Sequence, residues 1–188
     1  MGTRGAYGFR IGGADKVTYN HFDSYPDGLG LDIVRFIQET DSAELVGIAL
    51  ETELVDLDST PTAEQIAKCR NAGTVNLGVS EQSEDDWYCL LRGAQGELGT
   101  LREAPYMIEG ASFLADSLFC EWAYIINLDA GTLEIYKGFN KNPLAAGRYA
   151  ETEDERDGYC GVALISTVRL DSVRQTDAEQ FIRGLETD

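Results

Sequence analysis

Two stretches decide the fold class: FCEWAYIINL at residues 119–128 and TLEIYKGF at residues 132–139. Both are rich in aromatic and β-branched residues, which favour strands. Between them, Asp129, Ala130 and Gly131 have the composition and the length of a tight turn. The sequence therefore predicts a central antiparallel hairpin over residues 119–137.

Further strands are predicted near both ends of the chain. Residues 3–11 and 16–20 flank a Gly12-Gly13 pair that is typical of a hairpin turn, and residues 162–169 have strand composition. Between these strands, residues able to cap helices precede apolar positions at helical spacing. The expected caps are Ser42 for one helix, and the pairs Thr62 with Gln65, Ser83 with Asp86 and Thr176 with Glu179 for three others.

This order of elements predicts an α+β fold, with one or more antiparallel sheets and packed helices. The length and the apolar content suit a single domain over residues 1–188. Residues 140–158 contain a proline, glycines and an acidic run, so we expect them to form an exposed loop.

The composition is strongly acidic, with 15 Lys and Arg against 33 Asp and Glu and a formal net charge of −18. This charge repels phosphate backbones and anionic membrane surfaces, so we expect no direct nucleic-acid partner and no membrane partner. It is compatible with plain solubility, with adaptation to a saline cytoplasm, or with a polyanion mimic that binds a basic partner.

The first residues and the cysteines bear on compartment and cofactors. Residues 1–13 lack the apolar run of a signal peptide, which predicts a cytoplasmic protein. The cysteines match neither zinc-ligand nor redox spacing, so we expect reduced thiols, no metal site and no cofactor. They are Cys69, Cys89, Cys120 and Cys160.

Residues 19–30, YNHFDSYPDGLG, hold the only histidine among hydroxyl, amide and carboxyl side chains. Loops of this kind at a strand end often carry function. His21 is a candidate catalytic base, although a Ser-His-Asp triad within so short a segment is geometrically awkward. The candidate ligand-binding residues in the loop are Tyr19, Asn20, Asp23, Ser24 and Tyr25. The alternative is a structural turn in which Asp23 or Ser24 bonds to loop amides.

Pairing of the first two strands would bring the start of the chain to this loop. Thr3 and Arg4 would then lie near Asn20 at a shared mouth. In that arrangement Arg4, helped by Arg10, would hold a small ligand or a protein segment.

Four segments carry a resemblance to known proteins: MGTRG at residues 1–5, YNHFDSYPDGLG at 19–30, DWYCLLRGAQG at 86–96 and CEWAYIINLDAGTLEIYKGF at 120–139. They resemble an uncharacterised family of bacterial, phage and fungal proteins, and this resemblance implies kinship without a defined activity.

More loosely, the early hairpin and the late strands are similar to the N-terminal-nucleophile hydrolases. That resemblance implies a layered αββα fold and an amide hydrolase whose first residue is a Cys, Ser or Thr nucleophile with its own α-amine as the base. Loss of Met1 would expose Gly2, so Thr3 becomes the catalytic nucleophile only after a second residue is removed.

Three functions remain open at this stage. The first is binding of a small ligand or a protein segment through the 19–30 loop. The second is amide hydrolysis, in which Arg4 and Asn20 position the acyl group while Tyr19 or His21 assists proton transfer. The third is the acidic mimic that binds a basic partner.

Overall fold

The structure is a computed structural model that describes residues 2–78, 83–151 and 158–186. Its α+β class is the one that the sequence predicts. The elements in chain order are β1 (Gly5–Ile11), β2 (Ala14–Asn20), α1 (Leu31–Glu39), α2 (Ser42–Glu51), β3 (Glu53–Val55), α3 (Ala63–Asn71), α4 (Trp87–Leu90), β4 (Tyr106–Ile108), β5 (Trp122–Asn127), β6 (Thr132–Lys137), β7 (Ala163–Arg169), α5 (Leu170–Gln175) and α6 (Ala178–Glu186).

The main sheet has five strands in the order β2-β1-β5-β6-β7. The expected central hairpin is confirmed as β5 paired with β6, and the expected N-terminal hairpin as β1 paired with β2. The sheet is mixed rather than wholly antiparallel, because β1 and β5 run in parallel with Gly5 opposite Trp122. The layered αββα arrangement stays a prediction.

The parallel pairing of β1 with β5 places two hairpin turns side by side. Gly12 and Gly13 adopt positive φ angles of 60° and 78°, which glycine reaches without the steric cost that other residues have. Their backbone N–H groups donate to the Asp129 carboxylate at 2.8 and 2.9 Å. These two bonds lower the pKa of Asp129 and join the turns.

Each face of the sheet is covered by a different part of the chain. One face shares a hydrophobic core with α1, α2, α5 and α6, and within it α6 packs against α1 and the turn at residues 26–30. Its core includes Phe9, Tyr124, Ile126, Leu133, Ile33, Ile37, Leu45, Val173 and Ile182. The other face is covered by a helical turn at residues 111–115 and by the chain before β7, with a core that includes Ala6, Val17, Leu114, Cys120, Ile125, Tyr136 and Val162.

A smaller lobe lies beside the edge strand β2. There β3 and β4 form a parallel two-stranded sheet, which packs with α3 and α4 around the fully buried ring of Trp87. The sequence patterns predict the helices of this lobe but not its strands, because three residues are too few to display an alternating pattern.

The helix caps follow the expectations in part. The capping box of Thr62 and Gln65 is confirmed at the start of α3. For α2, however, the cap is Asp41 instead of Ser42, because its carboxylate accepts hydrogen bonds from the next two free backbone N–H groups.

Two other expected caps are wrong by a few positions. Asp86 itself caps α4 by accepting from the Tyr88 N–H group, while Ser83 lies outside the helix. The Asp177 carboxylate accepts from the Gln180 N–H group at the start of α6, whereas Thr176 bonds back to α5. In each case, a carboxylate takes the role that a hydroxyl was expected to fill.

The loop expected at residues 140–158 is exposed over most of residues 141–148, but Arg148 anchors it to the sheet. The Arg148 guanidinium donates to the Glu134 carboxylate, to the Tyr136 hydroxyl at 2.9 Å and to Asp15 at 3.2 Å. Arg10 donates to the same Asp15 carboxylate at 3.0 Å. We call this group the Arg148 network. Residues 152–157 of the loop lie outside the described part of the chain.

Two further expectations concern the whole chain. None of the helices in the described ranges is long and apolar enough to cross a bilayer. All four cysteines are buried and none forms a disulfide, and burial raises the pKa of Cys120 well above the ordinary thiol value, which makes this thiol a poor nucleophile.

Candidate functional site

The 19–30 loop is held rigidly at the start of β1. The Asn20 side-chain amide donates to the Phe22 carbonyl and to the Ser24 hydroxyl, the latter at 2.9 Å. The Ser24 N–H group donates to the Thr3 carbonyl at 3.1 Å, and its carbonyl accepts from the Tyr124 hydroxyl of β5 at 3.2 Å. Asn20 and Ser24 are buried, so these two predicted ligand-binding residues act as anchors of the loop.

Gly5 makes this close packing possible. A Cβ atom built on Gly5 would lie 2.4 Å from the Trp122 carbonyl and 2.6 Å from the Ser24 Cβ, distances at which the backbone would have to move. A side chain at position 5 would therefore separate the loop from β5.

The remaining loop residues point outward or sit at the rim. Phe22 and Tyr25 are about half exposed, at 50% and 49%. Asp23 is exposed with a left-handed φ of 51°, and its backbone carbonyl accepts from the Leu29 N–H group. The Asp23 carboxylate accepts no hydrogen bond among the described residues, so it does not cap the loop as expected, and Asn20 and Ser24 hold the loop instead.

Two cavities open at this end of the sheet, with the exposed ring of Phe22 at the border of both. The first cavity, of about 540 Å³, is also lined by Leu118, Phe119 and Glu121. The second, of about 450 Å³, is lined mainly by polar groups that include Arg92. The predicted site residues divide between them: Thr3, Arg4, His21 and Tyr25 line the first cavity, and Asn20 and Asp23 line the second.

Tyr19 and His21 form a hydrogen-bonded pair, with 2.6 Å between the Tyr19 hydroxyl oxygen and Nδ1 of His21. Burial, followed by the positive charges of Arg92 and Arg4, lowers the pKa of His21. Burial also raises the pKa of Tyr19. These shifts favour a protonated phenol beside a neutral imidazole, a pairing in which the phenol donates to Nδ1 when the ring proton is on Nε2.

Two arginines lie at this end of the sheet, beside Glu121 in the first cavity and beside Asp23, Asp32 and Glu97 in the second. The Arg4 guanidinium lies over the Phe119 ring at 5.1 Å, and that of Arg92 lies over the Phe22 ring at 5.3 Å. Arg92 also donates to the side-chain oxygen of Gln95. Neither arginine forms an ion pair with a carboxylate in the described ranges.

Arg10, which was expected to help Arg4, lies at the opposite end of β1. Because β1 is seven residues of extended strand, its two ends are far apart, and Arg10 does not reach Arg4. Arg10 is instead paired with Asp15 in the Arg148 network. Arg92 takes its place at the loop, and sequence reasoning missed it. The only signal was that it lies within DWYCLLRGAQG, a segment noticed for its resemblance and not for its chemistry.

Thr3 is 1% exposed, and its hydroxyl oxygen is buried without a hydrogen-bond partner in the described part of the chain. Buried hydroxyl groups usually have a partner, so this one stands out beside a cavity. A second observation concerns metals: within residues 2–78, 83–151 and 158–186, no group of three or more His, Cys, Asp or Glu side chains is arranged to hold an ion.

The chain was compared with protein families, with curated proteins and with solved structures. No protein-family model, no curated protein and no solved structure matches the chain. Both resemblances drawn from the sequence, and the acidic mimic of a polyanion, therefore stay predictions.

Proposed function

We propose that the protein binds a small ligand that combines a carboxylate or an amide carbonyl with an aromatic or apolar group, at the first cavity. One observation carries the proposal. Arg4 lines the first cavity without an ion-pair partner among the described residues, and the charge of Arg92, which lines the second cavity, also reaches His21, in a chain whose formal net charge is −18. Where carboxylates are so abundant, a bound anion is a direct explanation for an exposed guanidinium group that none of the described carboxylates pairs with.

The residues around the arginines suit the rest of such a ligand. Phe22, Tyr25 and Phe119 offer exposed ring surface to an apolar group. Glu121 lines the same cavity and can accept a hydrogen bond from a ligand N–H group. Nε2 of neutral His21 can donate to a carbonyl or carboxylate oxygen.

N-acetylphenylalanine is a suitable first probe because it contains a carboxylate, an amide and a ring. We expect it to bind, and we expect its neutral primary amide to bind more weakly, because the amide forms no charge-assisted bond with Arg4. Arg4→Ala should weaken binding of the acid by about tenfold or more and leave binding of the amide nearly unchanged. Isothermal titration calorimetry measures both affinities.

A matched control removes an equal charge elsewhere. Arg169→Ala changes an exposed arginine on β7 and should leave both affinities unaltered. The melting temperatures of Arg4→Ala and Arg169→Ala should stay within a few degrees of the parent, because exposed side chains contribute little stability. Equal affinity for the acid and the amide, or equal losses in both variants, would refute the proposal.

A second candidate, amide hydrolysis by Thr3, is favoured by the buried and unpartnered hydroxyl of Thr3 beside the first cavity. It requires removal of Met1 and Gly2, after which the new α-amine would act as the base. Of the expected acyl-positioning groups, only Arg4 is available, because the Asn20 amide nitrogen already donates two hydrogen bonds. Intact-mass analysis of the purified protein tests this: a chain that begins at Met1 or Gly2 excludes the hydrolase.

A further inference from the structure

A third cavity, separate from the proposed site, lies where the edge of the main sheet meets the smaller lobe. Its volume is about 350 Å³, and its wall contains residues of β2, of β4 and of the helical turns between α4 and β4. Aromatic side chains form much of the wall, among them Tyr19, Tyr88, Tyr106 and Phe113. A cavity of this size and composition is typical of small-molecule sites.

The wall is shaped in advance by Tyr7. Its hydroxyl donates to the Ala94 carbonyl and accepts from the Gly96 N–H group, both at 3.0 Å. These bonds tie the β1 strand to the turn after α4, so the cavity does not depend on a ligand for its form. The Tyr7 hydroxyl forms its hydrogen bonds within the protein, and the apolar ring of Tyr7 faces the cavity.

The charges at the cavity all have one sign. Glu97 and Glu109 line it, whereas no lysine or arginine in the described part of the chain does. Both glutamates are exposed and form no ion pair with a cation in the described residues. Burial is the main cause that raises the pKa of Tyr7, and the negative charge of Glu97 adds to it. The field of Glu97 therefore reaches the cavity wall.

We propose that this cavity binds a small organic cation with an apolar body, such as an aryl or alkyl ammonium compound. Aromatic faces attract an ammonium group through their quadrupole, and the attraction strengthens where water is excluded. The two carboxylates at the rim add a long-range attraction that an exposed amine or quaternary ammonium would feel on approach. The two rim carboxylates would repel a carboxylate ligand, so this cavity and the first cavity favour opposite charges.

Arg92 limits which rings are free for the ligand. Its guanidinium lines the second cavity and already lies over the Tyr88 ring at 5.7 Å. The bound cation should therefore contact Tyr106 and Phe113, because the positive charges of Arg92 and Arg4 also reach Tyr19. Tyr19 and Phe113 are themselves in edge-to-face contact at 4.9 Å, so they form a continuous aromatic corner.

Methionine NMR offers a local readout. The chain has two methionines, and Met107 lines this cavity while Met1 begins the chain. In protein labelled at the methionine methyl groups, titration with phenyltrimethylammonium should shift the Met107 signal, identified by its loss in Met107→Leu. The neutral probe tert-butylbenzene has the same shape without the charge, and we expect its affinity to be about tenfold lower.

Variants then separate a local charge effect from a global one. Glu97→Gln combined with Glu109→Gln should weaken binding of phenyltrimethylammonium several-fold and leave binding of tert-butylbenzene unchanged. Glu103→Gln, singly and with a second exposed carboxylate such as Glu39→Gln, is the matched control because neither residue lines the cavity.

Three outcomes would overturn the proposal: no shift of Met107 up to millimolar cation, equal affinity for the hydrocarbon and the cation, or equal losses in the control and the Glu97/Glu109 variant. None of these measurements depends on Arg4 or on the first cavity. Failure here is therefore distinct from failure of the carboxylate proposal.

Discussion

The two ends of β1 carry the same residue type in opposite circumstances. Arg10, near the last residue of the strand, is paired with Asp15 and belongs to the Arg148 network. Arg4, just before the first residue, lies over the Phe119 ring with no described carboxylate in ion-pair range. The role of each arginine therefore depends on whether a carboxylate pairs with it, and not on the strand that carries it.

The physical difference lies in hydration. In the Arg148 network, the guanidinium groups and the carboxylates lose water together and compensate each other through hydrogen bonds, which makes the network part of the framework. At the first cavity, the Arg4 guanidinium is exposed, and its charge is available to a ligand. The comparison predicts that substitutions in the Arg148 network change the free energy of unfolding. Substitutions of Arg4 and Arg92 should instead change ligand binding and the pKa of His21.

The largest expected effect is at Arg148. Arg148→Met should lower the free energy of unfolding by about 3 kcal/mol, because it leaves Glu134 buried without its cation. Arg4→Met, which removes the same group from the mouth, should cost no more than about 0.5 kcal/mol. Urea unfolding measures both.

A second substitution checks the cause. Adding Glu134→Gln to Arg148→Met should recover part of the loss, since no unpaired charge then remains in the network. If Arg148→Met and Arg4→Met cost the same, the distinction between the two ends of β1 fails.

An intermediate effect is expected at Asn20, a buried uncharged residue that anchors the 19–30 loop and lines the second cavity. Asn20→Ala removes two hydrogen bonds of a buried amide and should cost about 1–2 kcal/mol. Asp23→Ala is the control from the same loop, and it should cost less than about 1 kcal/mol through its left-handed backbone alone. Thermal melts rank the two, and the opposite ranking would mean that the Asp23 carboxylate holds the loop.

The smallest effect is the titration of His21. Because its folded-state pKa lies below the ordinary value, the unfolded chain takes up the proton first, and stability should fall slightly as the pH drops below about 6.5. Arg92→Ala should raise the pKa of His21 without restoring it fully, since burial is the larger cause. The chain has one histidine, so a single NMR titration reports it. The control Arg169→Ala should leave the pKa of His21 unchanged. If Arg92→Ala also left it unchanged, the positive charge of Arg92 would not be a cause of the lowered pKa.

The hairpins and the long helices could be predicted because their patterns are local. The aromatic and β-branched residues of β5 and β6 and the glycine pair after β1 identify strands and turns within a few residues of chain. The parallel contact of β1 with β5 and the short strands β3 and β4 have no such local signal. They depend on tertiary packing, which sequence periodicity does not contain.

The sequence predicted which chain segments form the site, but not which of their residues are structural and which line a cavity. Strand pairing, which is local there, places Thr3 and Arg4 beside His21 and Tyr25, whereas Asn20, which was expected at the same mouth, lines the second cavity. Sequence reasoning did not separate Asn20 and Ser24, which are buried anchors, from His21, which lines the first cavity. Arg92 arrives from a distant segment, so only the folded chain reveals it.

The pairing of β1 with β5 also has a consequence for synthesis. The β1–β2 hairpin leaves the ribosome long before Trp122 is translated, so the inner edge of β1 stays open meanwhile. Ala6 and Phe9, fully buried in the finished sheet, are then uncovered. An unpaired edge with apolar residues is prone to mispairing with other nascent chains. The first hairpin is therefore the segment for which we expect chaperone protection to matter most during translation.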